Sequence, residues 1–121
     1  MINKDELKSR GYFIAVINGL SCSNLKAFLN EIGIVFNFPD YYGKNMNALW
    51  ECLNDLDWLE EKNYALIINN YKNFLKEEDS EIKKGILESL LEVKNEWNNV
   101  PNYDGENEFR QKADFIIDVN N

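Results

Sequence analysis

Three short runs of apolar and β-branched residues limit what this chain can fold into. They read YFIAVIN at 12–18, YALIIN at 64–69 and ADFIIDV within 112–119. Runs of this length and composition are typical of buried strands. Helix-like sequence separates each run from the next, and strands that alternate with helices form βαβ units. The sequence therefore predicts an α/β fold, with a small three-stranded parallel sheet packed against about three to four helices.

The handedness of these connections predicts where the helices lie. Because βαβ crossovers are nearly always right-handed, both connections should place their helices on the same face of the sheet. A parallel sheet with strands this apolar needs cover on both faces. With all the predicted helices on one face, the other face of the sheet is less well covered from solvent.

Three helices are expected between the strands, each with one apolar face. Ser21 or Ser23 can cap the first helix, and Gly33 is placed to end it. Asn45 is suited to cap the second helix and Ser80 the third. The apolar faces are Leu25, Phe28, Leu29 and Ile32 in the first helix, Met46, Leu49, Leu53 and Leu56 in the second, and Ile82, Ile86, Leu90, Val93 and Trp97 in the third.

The remaining segments are expected to be polar connections. Residues 70–79 are interpreted as a polar connection, and residues 98–111 as an exposed, turn-rich loop. Gly85 costs the third helix some stability, for which close packing against the sheet is the expected reason. A length of 121 residues with 45% hydrophobic content suits one domain over residues 1–121.

Charge and cysteine content narrow the functional classes. The chain has 21 acidic and 13 basic residues, a net charge of −8, which is the wrong sign for binding nucleic acid or an anionic membrane. A basic protein is a suitable partner, although acidity alone also serves solubility. Cys22 and Cys52 lack CxxC spacing, and the polar start MINKDELKSR is unlike a secretion signal. We therefore expect reduced thiols in a cytoplasmic protein with no membrane partner.

Enzyme chemistry finds little support in the composition. The chain has no histidine, the usual general base near neutral pH, so Cys52 also lacks a histidine partner. There is no phosphate-binding glycine loop, and no pair of carboxylates stands out by spacing. The acidic run at 77–81 is better explained as a solvated helix start than as a cation site. We expect no catalytic residues, no metal and no cofactor.

The segment PDYYGKNMNALWECL, at 39–53, carries a dense pattern of uncommon residues. The residues of the pattern are Pro39, Tyr41, Tyr42, Gly43, Asn45, Ala48, Leu49, Trp50, Cys52 and Leu53. This pattern resembles the signature of the barstar family, small intracellular proteins that bind and block a ribonuclease made by the same cell. Weaker resemblance extends over most of the chain, including AVING at 15–19 and ILESLLEVKNE at 86–96. The family fold agrees with the strand pattern, and the 98–111 loop looks longer than usual.

The resemblance also implies a site that binds a basic ribonuclease or related toxin. In barstar-like proteins the position of Glu51, just after Trp50, holds the acid that enters the phosphate pocket of the enzyme. A carboxylate can satisfy the same arginine and lysine donors that hold RNA phosphate. Tyr41 would pack against the enzyme, Asn47 corresponds to a second acid, and Glu92 to an acidic contact on the last helix. The implied partner-binding residues are Tyr41, Gly43, Asn45, Met46, Asn47, Trp50, Glu51 and Glu92.

Two departures from the family pattern bear on the partner. Asn47 replaces the usual aspartate and removes a charge, while Glu51 replaces aspartate and adds a methylene group. We therefore expect a diverged partner, whose pocket is slightly deeper or less basic than that of the family's best-known ribonuclease.

Alternatives remain open for the residues and for the function. Tyr42, Ala48, Leu49 and Leu53 are expected to hold the loop to the core, and Trp50 suits packing and interface equally. A barstar-like immunity or adaptor protein for a different basic toxin or protein is the main alternative function. An unrelated small enzyme is a distant third.

Overall fold

The computed structural model describes residues 2–121 and shows the predicted α/β architecture. The helices and strands are α1 Lys4–Ser9, β1 Tyr12–Asn18, α2 Leu25–Val35, α3 Met46–Leu53, β2 Asn63–Asn69, α4 Ser80–Asn98 and β3 Phe115–Val119. Short 3-10 turns lie at Gly19–Ser21 and Glu106–Glu108. The three predicted strands are confirmed, whereas α1 was not predicted. Within residues 2–121, no helix is both long enough and apolar enough to cross a membrane.

The strands form one parallel sheet in the order β1–β2–β3. Tyr12 lies opposite Asn63 in the first pair, and Tyr64 lies opposite Phe115 in the second. The central strand β2 is buried from Tyr64 to Ile68. The predicted three-stranded parallel sheet is therefore confirmed.

The main core lies between one face of the sheet and the helices α2, α3 and α4. Phe28 meets Phe74 edge to face with ring centroids 5.1 Å apart, and Phe36 stacks near Phe115 at 6.2 Å. The apolar faces predicted for the three helices pack in or against this core. Ile82 is the exception: it lies in the first turn of α4 and is 38% exposed.

The unpredicted helix α1 covers part of the opposite face of the sheet. Its one buried residue, Leu7, packs with Tyr12 of β1 and Ala65 of β2 in a second, smaller core. The Tyr12 hydroxyl donates a hydrogen bond to Asp114 Oδ2 at 2.6 Å. This small core supplies cover that the strand pattern required and the predicted helices did not provide.

Helix α2 begins later than the serine caps predicted. Asn24 is its N-cap, and its Oδ1 accepts a hydrogen bond from the Ala27 backbone N–H at 2.9 Å. Ser21 instead ends a 3-10 turn, and the Ser23 hydroxyl donates to the Glu77 carboxylate. The serine prediction was wrong because asparagine, an equally good cap, stands directly before the helix.

The caps of the other two helices lie at or beside the predicted positions. Asn45 caps α3 as predicted, with Oδ1 accepting from the Ala48 N–H at 2.9 Å. In α4 the cap is Asp79, whose Oδ1 accepts from the Glu81 N–H at 2.8 Å. Ser80 is therefore the first helical residue rather than the cap.

The two helix glycines behave differently from the prediction. Gly33 does not end α2, which continues to Val35. It lies against Tyr42 instead: a Cβ built on Gly33 would come within 2.8 Å of Tyr42 Cε2. Gly85 has no atom within 4 Å of such a Cβ, so close packing does not explain it.

The two segments predicted to be polar connections both contribute buried residues. In residues 70–79, Phe74 and Leu75 are fully buried, and the Leu75 N–H donates to the Cys22 carbonyl at 2.8 Å. In residues 98–111, Val100 and Glu106 are buried. A few buried side chains in a mainly polar stretch give no periodic signal, so the sequence pattern did not reveal them.

Candidate functional site

The two adjacent tyrosines of the YYG loop, residues 41–43, have opposite environments. Tyr42 is buried, its hydroxyl donates to the Leu29 carbonyl at 2.8 Å, and its ring meets Phe38 edge to face at 4.7 Å. Tyr41, the preceding residue, is 70% exposed. Tyr42 therefore fixes the loop to α2, and the fixed loop holds Tyr41 out in solvent.

The loop is tied down a second time before α3 begins. Lys44 adopts a left-handed backbone conformation with φ of 54°, and its Nζ donates to Asn30 Oδ1 on α2 at 3.0 Å. Asn45 then caps α3. Gly43 and Asn45 are both exposed.

Helix α3 divides its residues between the core and a polar surface. Leu49 and Leu53 are buried and Ala48 packs against the same core, as expected for residues that hold the loop and helix in place. Asn47 and Glu51, one turn apart on the helix, are exposed. In residues 2–121 both salt bridges involve Arg110, so Glu51 has no cationic partner there.

A shallow cleft of about 220 Å³ separates α3 from α4. Its lining residues are Met46, Asn47, Leu49, Trp50, Leu53, Ser89, Leu90 and Val93. Trp50 is half-buried and packs against the core while also lining the cleft. Glu92 is exposed on α4 between two lining residues but does not line the cleft itself. The structure thus places Glu92 beyond the cleft from the α3 residues of the predicted site.

Carboxylates at the end of α3 act on Tyr41. The pKa of Tyr41 is raised, first by partial desolvation and then by the Asp55 charge, with smaller contributions from Cys52 and the Asp57 charge. The pKa of Asp55 is also raised, by its own desolvation and by the Asp57 charge. The exposed tyrosine therefore lies near the carboxylates of the turn that follows α3.

Arg110 connects the 98–111 segment to α3 and α4. Its Nη2 and Nε donate to Glu106 Oε2 at 2.8 and 3.0 Å, and its Nη1 donates to Asn54 Oδ1 at 2.9 Å. The guanidinium lies over the Trp97 ring, 4.5 Å from the centroid. Burial alone would raise the pKa of Glu106, but hydrogen bonds from Asn102 and Arg110 lower it overall. The prediction of an exposed loop was therefore wrong for Glu106, which is buried and paired with Arg110, whereas Tyr103 and Phe109 on either side of it are exposed.

Both cysteine thiols of the described residues are held in their protonated form. Burial raises the pKa of the Cys22 thiol to about 11 and also raises that of Cys52, so neither favours the nucleophilic thiolate. Between residues 2 and 121 no three metal-ligating side chains converge on one point. The surface around α3 presents the exposed Tyr41 ring and the exposed Glu51 carboxylate, which forms no salt bridge within residues 2–121.

Comparison with known proteins gives two findings. Residues 12–115 match the family model described as Barstar (barnase inhibitor), a range that includes every residue of the predicted site. The chain is also similar to the protein named "Putative ribonuclease inhibitor YrdF" of Bacillus subtilis (strain 168). The two are 29% identical over 85 residues, which cover 68% of this chain and 90% of that relative.

Proposed function

The chain belongs to the barstar family, and on that premise we propose that it inhibits a basic ribonuclease by covering the enzyme's active site with α3 and the YYG loop. The observation that carries the proposal is the exposed Glu51, which has no cationic partner in the described chain and follows Trp50 directly. A carboxylate at this place offers the partner's arginines and lysines the acceptors that RNA phosphate would otherwise provide.

Each part of the surface has a separate task in this proposal. Tyr41 and Trp50 bury large areas at low cost in rotamer entropy, so they serve as anchors. Glu51 enters the phosphate pocket, and Asn47 contributes neutral hydrogen bonds one turn earlier. Glu92 provides a further acidic contact from α4. Gly43, Asn45 and Met46 shape the loop and the start of the helix beneath these contacts.

The preformed loop lowers the cost of binding. Tyr42, Lys44 and the Asn45 cap fix the backbone around Tyr41 before any partner arrives. Little backbone entropy is then lost on association, and more of the contact energy remains as affinity.

The neutral side chain of Asn47 is consistent with a partner that differs from the family's best-known ribonuclease. It also leaves a second function as an alternative. Without the usual aspartate, this surface carries one charge less where the family has two helix-borne acids. A ribonuclease with a less basic pocket fits this difference. A different basic toxin or protein, bound by the same surface in an immunity or adaptor role, is the alternative.

A comparison of three affinity columns tests the proposal. The wild type, Glu51→Lys and Glu6→Lys are immobilised separately, and lysate and culture fluid of the source cells are passed over each. Glu6→Lys is the matched control because Glu6 is an exposed acid on α1, which covers the opposite face of the sheet. Retained proteins are identified by mass spectrometry and assayed for RNA cleavage.

The outcomes separate the two functions. Retention of a basic ribonuclease on the wild type and Glu6→Lys only, with its RNA cleavage blocked while bound, supports the inhibitor function. Retention of another basic protein with the same dependence on Glu51 supports the adaptor or immunity function. Equal retention on all three columns contradicts the proposed site.

A further inference from the structure

The centre of the 98–111 loop is held by polar contacts around the buried Glu106. The Asn102 amide nitrogen Nδ2 donates to the Glu96 carbonyl at 2.9 Å and to Glu106 Oε1 at 2.9 Å. Arg110 binds the other carboxylate oxygen of Glu106 and also the Asn54 carbonyl at 3.0 Å. The loop is thus fastened to α4 on one side and to the end of α3 on the other.

Two large apolar side chains project from this fixed loop into solvent. Phe109 is 82% exposed and Tyr103 is 61% exposed. Single exposed apolar residues are common on protein surfaces, but two on the rim of one cleft indicate a contact area. Because the loop is already ordered, these side chains can contact a partner at low entropic cost.

The cleft below these side chains is about 820 Å³ and adjoins the predicted binding site at Trp50. Tyr103 and Phe109 form part of its wall, and Trp50 lines both this cleft and the smaller one between α3 and α4. A partner that covers Glu51 and Trp50 would therefore also reach the rim of the larger cleft.

The charges of the cleft favour a cation. Beside Arg110 and its partners Glu96 and Glu106, the lining holds three carboxylates, Asp55, Asp57 and Glu108, and two ammonium groups, Lys62 and Lys112, so acidic groups outnumber basic ones. In residues 2–121 none of these five side chains forms a salt bridge. The Arg110 guanidinium is already occupied by Glu106, Glu96 and Asn54. Free carboxylates beside aromatic rings suit a guanidinium group, which can stack on a ring and pair with a carboxylate at once.

We propose that the 98–111 loop and the end of α3 form a second contact area, continuous with the first at Trp50, that receives an arginine-bearing segment of the same ribonuclease outside its active site. This inference rests on the proposed function. It assigns the loop the task of selecting one ribonuclease among those with similar active sites, because contacts outside the catalytic pocket differ more readily between enzymes.

Paired variants test the second contact area. The probe is the ribonuclease that the wild-type column retains, and its Kd is measured by titration calorimetry. Tyr103→Ala combined with Phe109→Ala should weaken binding about tenfold or more, with an unchanged melting temperature, since both side chains are exposed. The control is Leu20→Ala combined with Ile34→Ala, because both residues are 59% exposed and line neither cleft. The control should leave the Kd within about twofold.

A photo-crosslinking side chain at position 109 tests the chemistry of the occupant. The crosslinked peptide of the ribonuclease should contain an arginine and lie outside the active site. Changing that arginine to alanine should remove most of the effect of Asp55→Asn combined with Asp57→Asn, as in a double-mutant cycle.

Failure of this inference differs from failure of the proposed function. If the ribonuclease binds the wild type, loses affinity with Glu51→Lys, and binds the Tyr103 and Phe109 variant as tightly as the control, the second contact area is wrong and the inhibitor function stands. A crosslinked segment without an arginine overturns the proposed occupant. If the wild type retains no ribonuclease, both proposals fail together.

Discussion

Glu51 is the single residue on which the proposed interface depends most. Replacing it by alanine should weaken ribonuclease binding by about 2–5 kcal/mol, because the partner's cations would be left buried without a counter-charge. This range is general to buried interface ion pairs, and a ribonuclease complex of this family is among the examples behind it. Calorimetric titration of the captured ribonuclease measures the loss. Circular dichroism of Glu51→Ala should stay native because the side chain is exposed.

Glu6→Ala is the matched control for this change. It removes an equal charge from α1, which covers the opposite face of the sheet, and should leave the affinity nearly unchanged. A Glu51→Ala protein that is unfolded would show that Glu51 serves the fold rather than the partner.

Glu106 is the residue whose ionisation contributes to folding. Its pKa in the folded protein lies below the ordinary value of 4.5. The ionised carboxylate is therefore more favourable in the folded than in the unfolded state, and it stabilises the fold where Glu106 is ionised. That contribution is fully present above about pH 5 and is lost as the pH falls through the lowered pKa. Glu106→Gln should therefore be about 1–3 kcal/mol less stable than the wild type at pH 7, and the difference should shrink at acid pH. Urea unfolding at several pH values measures it.

Glu108→Gln controls for general effects of charge on the same loop. Glu108 is exposed and has no salt bridge in the described chain, so its replacement should change the unfolding free energy little at any pH. A constant difference between the wild type and Glu106→Gln from pH 7 to pH 3 would contradict the assigned role of the Glu106 charge.

The YYG loop packs against α2 at a helix glycine, Gly33. Gly33→Ala should destabilise the protein by about 1–3 kcal/mol despite the better helix propensity of alanine, because its Cβ would press on the Tyr42 ring. Gly85→Ala is the matched change in α4, where no atom lies within 4 Å of the added Cβ. It should stabilise the protein by about 0.5–1 kcal/mol.

Thermal and urea unfolding of both glycine variants give the comparison. Gly33→Ala should also lower ribonuclease affinity, because a displaced Tyr42 moves the loop that carries Tyr41. Equal stabilisation by both substitutions would mean that the Tyr42 ring can move at no cost.

The strands and the main helices could be predicted because their apolar patterns are long and regular. The YYG loop and the α3 surface were recognised from one dense local signature, whereas Glu92 came from the weaker resemblance of residues 86–96. The binding roles of these residues stay predictions. Helix α1 was missed because it has one buried residue, Leu7, and so gives no periodicity. The pairing of Glu106 with Arg110 was missed because only the fold brings Trp97 and Asn54 to the same place.

Across the whole molecule, each face of the sheet has its own hydrophobic core. Helix α1 covers the second face of the sheet, while α3, α4 and the 98–111 loop leave their outer sides free. The predicted site and the larger cleft share Trp50, so the proposed contacts form one continuous area. A partner that binds this area need not disturb either core. The YYG loop is also fixed before binding, so it need not rearrange either.

The net charge of −8 belongs to the whole molecule and should affect the rate of association with a basic partner. Its field should attract a basic ribonuclease at a distance, so the association rate should fall by about tenfold or more between 25 and 300 mM salt, while the dissociation rate changes less. Stopped-flow fluorescence of the tryptophans measures both rates. Glu6→Gln should keep nearly the full salt dependence, whereas Glu51→Gln should mainly raise the dissociation rate because it removes a contact inside the interface. An association rate that does not respond to salt would contradict electrostatic steering and leave the acidity to solubility alone.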